Sequence, residues 1–142
     1  MVAYSFKKRF AEPILAGSKS QTIRAPRRRH ARPGEQLQLY TGMRTKQCKL
    51  IARSECVGVD DVELWFDSPT IIVNGQRWGI SKATRPTFDD FARRDGFSDW
   101  DDMRAFWRAE HPNAERFTGV LIRWRPITTD AKERHDSRSQ AA

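Results

Sequence analysis

Apolar and polar residues alternate along Cys48–Val59, which limits this stretch to an extended strand with two different faces. One face is expected to carry Leu50, Ala52, Ser54 and Cys56. Leu37–Tyr40 alternates in the same way, and Val62–Phe66 is a further candidate strand. Ile71–Val73 is followed by Asn74-Gly75, the pair favoured in two-residue hairpin turns. Neighbouring strands joined by short turns favour an antiparallel barrel or a strongly curled sheet.

Strands and a short helix are also predicted near the two ends of the chain. Ala3–Phe6 and Phe117–Arg125 have strand character. The apolar side chains after the first strand fall near helical spacing: Phe6, Phe10, Ile14 and Leu15. Pro13 weakens this helix, which we expect to be short, kinked or broken there, and Gly17 ends it.

Two further short helices are predicted before the last strand. Thr87 can cap the first of them, which ends at Gly96. Ser98 can cap the second, which ends at Pro112. The predicted fold class is therefore α+β, mainly β, with short peripheral helices around a small barrel or curled sheet.

Positive charge is concentrated in the first third of the chain. A length of 142 residues suits one domain, the composition is that of an ordinary globular protein, and the net charge is +8. Residues 1–53 contain thirteen Lys and Arg against Glu12 and Glu35, whereas residues 54–142 are slightly acidic. This asymmetry predicts an anionic partner, with nucleic acid or a nucleotide as the leading candidates.

Several classes of protein are excluded by what the sequence contains. No apolar run reaches the roughly 18 residues of a membrane span, and no secretion signal is recognisable. Cys48 and Cys56 are interpreted as two reduced, buried cysteines of a cytoplasmic protein. The three histidines are scattered without ligand spacing: His30, His111 and His135. We therefore predict no membrane association, no metal and no cofactor.

The segment Gly17–Arg24 reads Gly-x-Lys-x-x-Thr-x-Arg and resembles the signature of ASCH domains. Three later blocks match in order and spacing: Gly34–Thr45, Phe91–Phe97 and Phe117–Trp124. The resemblance covers about residues 4–125 and implies a β-barrel similar to the PUA domains. It predicts an ASCH (PUA-like) domain over residues 1–127, and residues 128–142 are expected to be a disordered tail.

The resemblance implies three functions without deciding between them. ASCH domains are generally proposed to bind RNA, so the leading hypothesis is a basic cleft for RNA or a modified nucleoside or nucleotide. One bacterial branch hydrolyses the acyl amide of acylated cytidine, which makes an amidohydrolase the alternative. Another member is similar to a ribonuclease; for that chemistry His30 is the only histidine placed near the basic loop, the arginine-rich segment Arg24–Gly34.

The amidohydrolase branch implies Lys19, Thr22 and Asp95 as catalytic residues. Its third residue is Glu, so Asp95 is one methylene shorter, and Asp67–Pro86 resembles an insertion. Lys19 can act as a base only if its pKa falls by several units. The alternative interpretation is an ordinary salt bridge between Lys19 and Asp95, with Thr22 as a strand residue.

A group of basic and aromatic side chains is predicted to bind nucleic acid: Arg24, Arg27, Arg28, Arg29, Arg32, Tyr40 and Arg44. The first five are arginines within nine residues, and the planar guanidinium group suits phosphate. The alternative interpretation is a solvated arginine loop. Core packing and ligand stacking are equally compatible with Tyr40.

Overall fold

The computed structural model describes residues 1–78 and 87–128, which are 39% strand and 22% helix. The strands are β1 (Val2–Phe6), β2 (Gln21–Arg24), β3 (Gln36–Thr41), β4 (Lys49–Trp65), β5 (Thr70–Val73), β6 (Gln76–Arg77) and β7 (Arg116–Trp124). The helices are α1 (Ala11–Ala16), α2 (Phe88–Arg94) and α3 (Trp100–Glu110), with a 3₁₀ turn at Lys8–Phe10. The predicted class, α+β and mainly β with short helices, is confirmed.

The long strand β4 organises the sheet, because it pairs with three other strands. Its first half pairs antiparallel with β3, and β3 pairs parallel with β1. Its second half lies antiparallel between β7 and β5, and β7 pairs with β2. Among the described strands no ladder joins β1 to β2, so the sheet is open and mixed.

A β-bulge changes which face of β4 is buried. Leu39 lies opposite Ala52 and Tyr40 lies opposite Leu50, which leaves Ile51 as the extra residue. Ser54 and Cys56 lie together on the buried face, but Leu50, which was predicted to share their face, is only half-buried, and Ile51 is buried in its place. The prediction of unbroken alternation was wrong at this point, because one inserted residue moves the following side chains to the other face.

The three helices lie where they were predicted, but the cap of one of them differs. Pro13 lies in the first turn of α1, where its missing N–H loses no helical hydrogen bond, and Gly17 ends the helix at φ 84°. Thr87 caps α2 as predicted. The cap of α3 is Asp99, one residue after the predicted Ser98, and its carboxylate accepts a hydrogen bond from the Asp102 amide at 2.8 Å.

The core lies between the sheet and the helices. The apolar side of α3 contributes Trp100, Met103 and Trp107 to it. Of the two cysteines, Cys56 is buried as predicted, whereas the prediction for Cys48 was wrong because it lies exposed just before β4. The predicted tail, beyond Thr128, and residues 79–86 of the predicted insertion lie outside the described residues.

Candidate functional site

The three predicted catalytic residues line one cavity of about 250 Å³. Lys19, Thr22 and Asp95 share it with Arg24. Much of the remaining wall is aromatic and consists of Phe6, Phe10, Phe97, Phe106 and Trp107. A concave site with an apolar wall and a few convergent polar groups is the usual form of a small-molecule site.

Main-chain hydrogen bonds bring the three residues together from separate elements. The left-handed Gly17 turns the chain out of α1 into the link that carries Lys19, whose amide donates to the Pro13 carbonyl at 3.0 Å. The Ser20 amide donates to the carbonyl of Arg94 at 2.9 Å. Because Arg94 is the last residue of α2, this bond holds the following Asp95 beside the start of β2.

The Lys19 amine is buried and donates two hydrogen bonds, both to main-chain carbonyls. Nζ lies 2.8 Å from the carbonyl oxygen of Gln21 and 2.5 Å from that of Asp95. Burial lowers the Lys19 pKa to about 8; Asp95 opposes this shift and Arg24 adds to it. A neutral amine has two N–H groups and one lone pair, so two acceptors leave the lone pair free for a proton.

The stem of Lys19 is held by close packing. Its Nζ lies 4.8 Å from the centre of the Phe10 ring and 5.3 Å from that of Phe6. Gly96 follows Asp95 with φ +96°, and a Cβ there would lie 2.7 Å from Lys19 Cδ and 2.9 Å from Phe10 Cδ1. A side chain at this position is therefore unfavourable for two reasons, the backbone conformation and the contact with the lysine stem.

The Asp95 carboxyl is not joined to Lys19 by a close ion pair. Gln21 Nε2 donates to Asp95 Oδ1 at 3.3 Å. Among the described residues, no carboxylate oxygen of Asp95 lies within 4.0 Å of the Lys19 amine. The interpretation of this pair as an ordinary salt bridge was therefore wrong. Burial raises the Asp95 pKa, opposed by the positive charge of Lys19.

Two site residues escaped the sequence analysis because nothing in their local pattern marks them. Gln21 is buried, with 3% of its surface exposed, and holds the carboxyl of Asp95. The carbonyl of Ser5 accepts from Arg24 Nη2 at 2.7 Å. Both contacts join segments that are distant in sequence. Gln21 also occupies a position at which the motif allows any residue, and Ser5 lies outside the motif.

Arg24 belongs to the cavity and contacts Thr22 directly. Its Nε donates to Thr22 Oγ1 at 3.0 Å, and its guanidinium lies 4.8 Å from the centre of the Phe6 ring. Because the threonine oxygen accepts this bond, its own O–H remains available as a donor. The positive charge beside Oγ1 would also stabilise negative charge on that oxygen.

The other residues predicted to bind nucleic acid line neither this cavity nor the second one described below: Arg27, Arg28, Arg29, Arg32, Tyr40 and Arg44. The Arg27 guanidinium lies 4.8 Å from the centre of the Tyr4 ring, and Arg29 pairs with Glu35 at 2.7 Å. The side chains of Arg28 and Arg32 are exposed and have no ion-pair partner within residues 1–78 and 87–128. The loop thus contains both structural and solvent-facing arginines.

His30 bonds within this loop through one ring nitrogen and to the core through the other. Nε2 lies 2.9 Å from the carbonyl oxygen of Ala25, and Nδ1 lies 3.0 Å from the hydroxyl of Tyr4. A carbonyl only accepts, so the hydrogen-bond network assigns the proton to Nε2 and makes Nδ1 an acceptor. General acid–base chemistry by His30 would require breaking one of these contacts.

Comparison with protein-family models, with curated proteins and with solved structures finds no match. Within residues 1–78 and 87–128, no group of three or more His, Cys, Asp and Glu residues is placed to bind a metal ion. In the same residues, no helix has the length and apolar character needed to cross a bilayer.

Proposed function

We propose that the chain is a PUA-like domain of the ASCH type that binds a modified nucleoside and hydrolyses the acyl amide of acylated cytidine. One observation carries the proposal: Lys19, Thr22 and Asp95 surround a single cavity, and the Lys19 pKa is lowered to about 8. A lysine with a strongly lowered pKa, in a cleft with other polar groups, is typical of a functional site.

The proposed reaction begins with attack by Thr22 Oγ1 on the acyl carbon, while the neutral amine of Lys19 takes the hydroxyl proton. The C–N bond breaks, the exocyclic nitrogen of cytidine leaves with that proton, and the acyl group remains on Thr22 as an ester. Water then attacks the ester; Lys19 takes a proton from it and returns the proton to Oγ1, which releases the carboxylic acid. Arg24 stabilises the charge on Oγ1, and Asp95 stabilises the protonated Lys19 between steps.

The aromatic wall supports a base-binding role for the same cavity. Rings of Phe6 and Phe10 lie beside the Lys19 amine, and Phe97, Phe106 and Trp107 also line the cavity. Flat π surfaces stack on nucleobases with little dependence on sequence. The barrel itself is part of the proposal: Arg24 of β2 reaches the Ser5 carbonyl of β1 with its side chain, although no ladder pairs these strands in the part of the chain described.

The test is incubation of the full chain with N4-acetylcytidine, followed by chromatography for free cytidine. Turnover is expected for the native chain and for Thr22→Ser, which keeps a hydroxyl. It should be lost in Thr22→Val, which keeps the shape, and in Lys19→Ala. Turnover that survives Lys19→Ala would overturn the mechanism, and no turnover by the native chain would overturn the proposed reaction.

A second candidate function is RNA binding through the arginine loop. It is favoured by the side chains of Arg28 and Arg32, which are exposed and have no ion-pair partner in the described part of the chain. If both contact phosphates, the log–log salt slope for single-stranded RNA falls in magnitude by about 1.4 in Arg28→Ala/Arg32→Ala. Arg29→Ala is the matched control, because Arg29 already pairs with Glu35. An unchanged slope in the double variant would exclude this loop as the RNA site.

A further inference from the structure

A second cavity, of about 460 Å³, adjoins the first. Its lining consists of Ser5, Phe6, Lys7, Lys8, Thr41, Gly42 and Gln47. Ser5, Phe6 and Lys7 line both cavities, so the two spaces lie next to each other at the end of β1. A ligand with one group in the first cavity would have the second cavity next to that group.

The lining of the second cavity is suited to an anion. It includes two lysines and no acidic residue among the residues described. Lys8 is exposed and has no ion-pair partner in that part of the chain. Thr41, which is only 8% exposed, and Gln47 add neutral donor groups.

The wall that carries Gln47 is a structured turn. The Thr45 hydroxyl donates to the Gly42 carbonyl at 2.6 Å and accepts from the Gln47 amide at 3.1 Å. The Met43 amide donates to Ser5 Oγ at 3.3 Å, which ties this turn to β1. The turn is thus fixed against the strand that separates the two cavities.

We infer that the second cavity binds the phosphate of a nucleotide whose base occupies the first cavity. The inference rests on the proposed function and narrows its substrate class from nucleosides to nucleotides, either free or at a position in an RNA chain. The 5′-phosphate is the first anionic group beyond the sugar, and lysine ammonium groups bind phosphate as point charges. Lys8 is the residue expected to contact it.

Glu110 is expected to weaken phosphate binding, because its carboxylate pairs with Lys7, which lines both cavities. This ion pair occupies one of the two lysines of the second cavity. An incoming phosphate competes with Glu110 for Lys7, so removal of the carboxylate charge should strengthen phosphate binding. Variants of Lys8 and Glu110 are therefore expected to act in opposite directions.

The experiment is calorimetric titration of the full chain with cytidine and with cytidine 5′-monophosphate. For the native chain we expect the monophosphate to bind about tenfold more tightly, a difference of about 1.4 kcal/mol. Lys8→Ala should reduce this ratio to near one, and Glu110→Gln should increase it. Lys46→Ala removes an exposed positive charge from the neighbouring turn without altering the lining, and should change the ratio less than twofold.

The outcomes separate this inference from the proposed function. Equal affinity for the two ligands, or equal effects of Lys8→Ala and Lys46→Ala, would overturn the phosphate site while leaving the base cavity intact. Failure of both ligands to bind would overturn the nucleoside proposal and the phosphate site together. A cytidine trinucleotide that binds as tightly as the monophosphate would show that the site also accepts a phosphate within an RNA chain, and one that binds no better than cytidine would restrict the site to a free nucleotide.

Discussion

The pKa of the Lys19 amine is set by influences that act in opposite directions. Burial lowers its pKa and is the largest influence, Asp95 raises it, and Arg24 lowers it further. The balance lies at about 8, near the pH of most cells, so both protonation states are populated under ordinary conditions. A general base is most effective when its pKa lies near the working pH.

A pH profile tests this role directly. If neutral Lys19 is the base, the rate of N4-acetylcytidine hydrolysis should rise about tenfold per pH unit below the Lys19 pKa and level off above it. The Lys19 pKa of about 8 places this transition at about pH 8. Lys19→Arg keeps the charge but cannot become neutral, and should be inactive at every pH. A flat profile between pH 6 and 9 would contradict the assignment.

Gly96→Ala should damage both stability and the site. The residue has φ +96°, which costs an L-residue about 1–2 kcal/mol, and the new Cβ would meet the Lys19 stem at 2.7 Å. Gly34→Ala is the matched control, since Gly34 has φ +92° and no atom within 4 Å of such a Cβ. Urea unfolding should show the larger loss for Gly96→Ala, and equal losses would mean that the lysine stem moves aside freely.

Among the helices, strands and turns, the features that the sequence predicts correctly are those determined by residues close together in the chain. The alternation of β4, the Asn74-Gly75 turn and the Thr87 cap depend on residues close in sequence. The bulge at Ile51 could not be predicted in this way, because it arises from the register between β3 and β4. Likewise, the motif indicated Lys19 and Thr22, whereas the support of Asp95 by Gln21 depends on how α2 docks against β2.

The cap of α3 gives an element-scale prediction. Asp99→Ala removes the acceptor of the Asp102 amide and should lower the free energy of unfolding by about 1 kcal/mol. Ser98→Ala removes only the weaker hydroxyl bond to Asp102 at 3.3 Å, and should cost less. Urea denaturation of both variants measures the difference, and a larger loss for Ser98→Ala would restore Ser98 as the cap.

Across the whole molecule, the positively charged side chains of the first third of the chain have different surroundings. The excess on residues 1–53 predicted an anionic partner but could not show which side chains are available to it. Arg24 lies in a cavity wall, Arg29 pairs with Glu35, and Lys8 lies beside the second cavity. Net charge sets long-range attraction, whereas the partners of each side chain decide where an anion can bind.

The stability of the whole fold should depend on pH through Lys19. Its folded pKa of about 8 lies below the ordinary value of 10.5, so between these values the unfolded chain binds more protons. The free energy of unfolding therefore rises with pH in that window, by about 3 kcal/mol from this group alone. Lys19→Met lacks this titration, so its stability relative to the native chain should fall between pH 7.5 and 10. A constant difference in urea unfolding would contradict a neutral Lys19 in the folded state.

The pairing of β2 with β7 has a consequence for folding kinetics. Thr22 lies opposite Ile122, about 100 residues later in the chain. Folds dominated by such distant pairs usually form in milliseconds to seconds, because loop closure precedes the gain from pairing. During synthesis, a nascent chain that has not yet reached β7 lacks the partner strand that places Thr22. If the cavity binds a nucleoside as proposed, it can do so only after β7 has emerged from the ribosome.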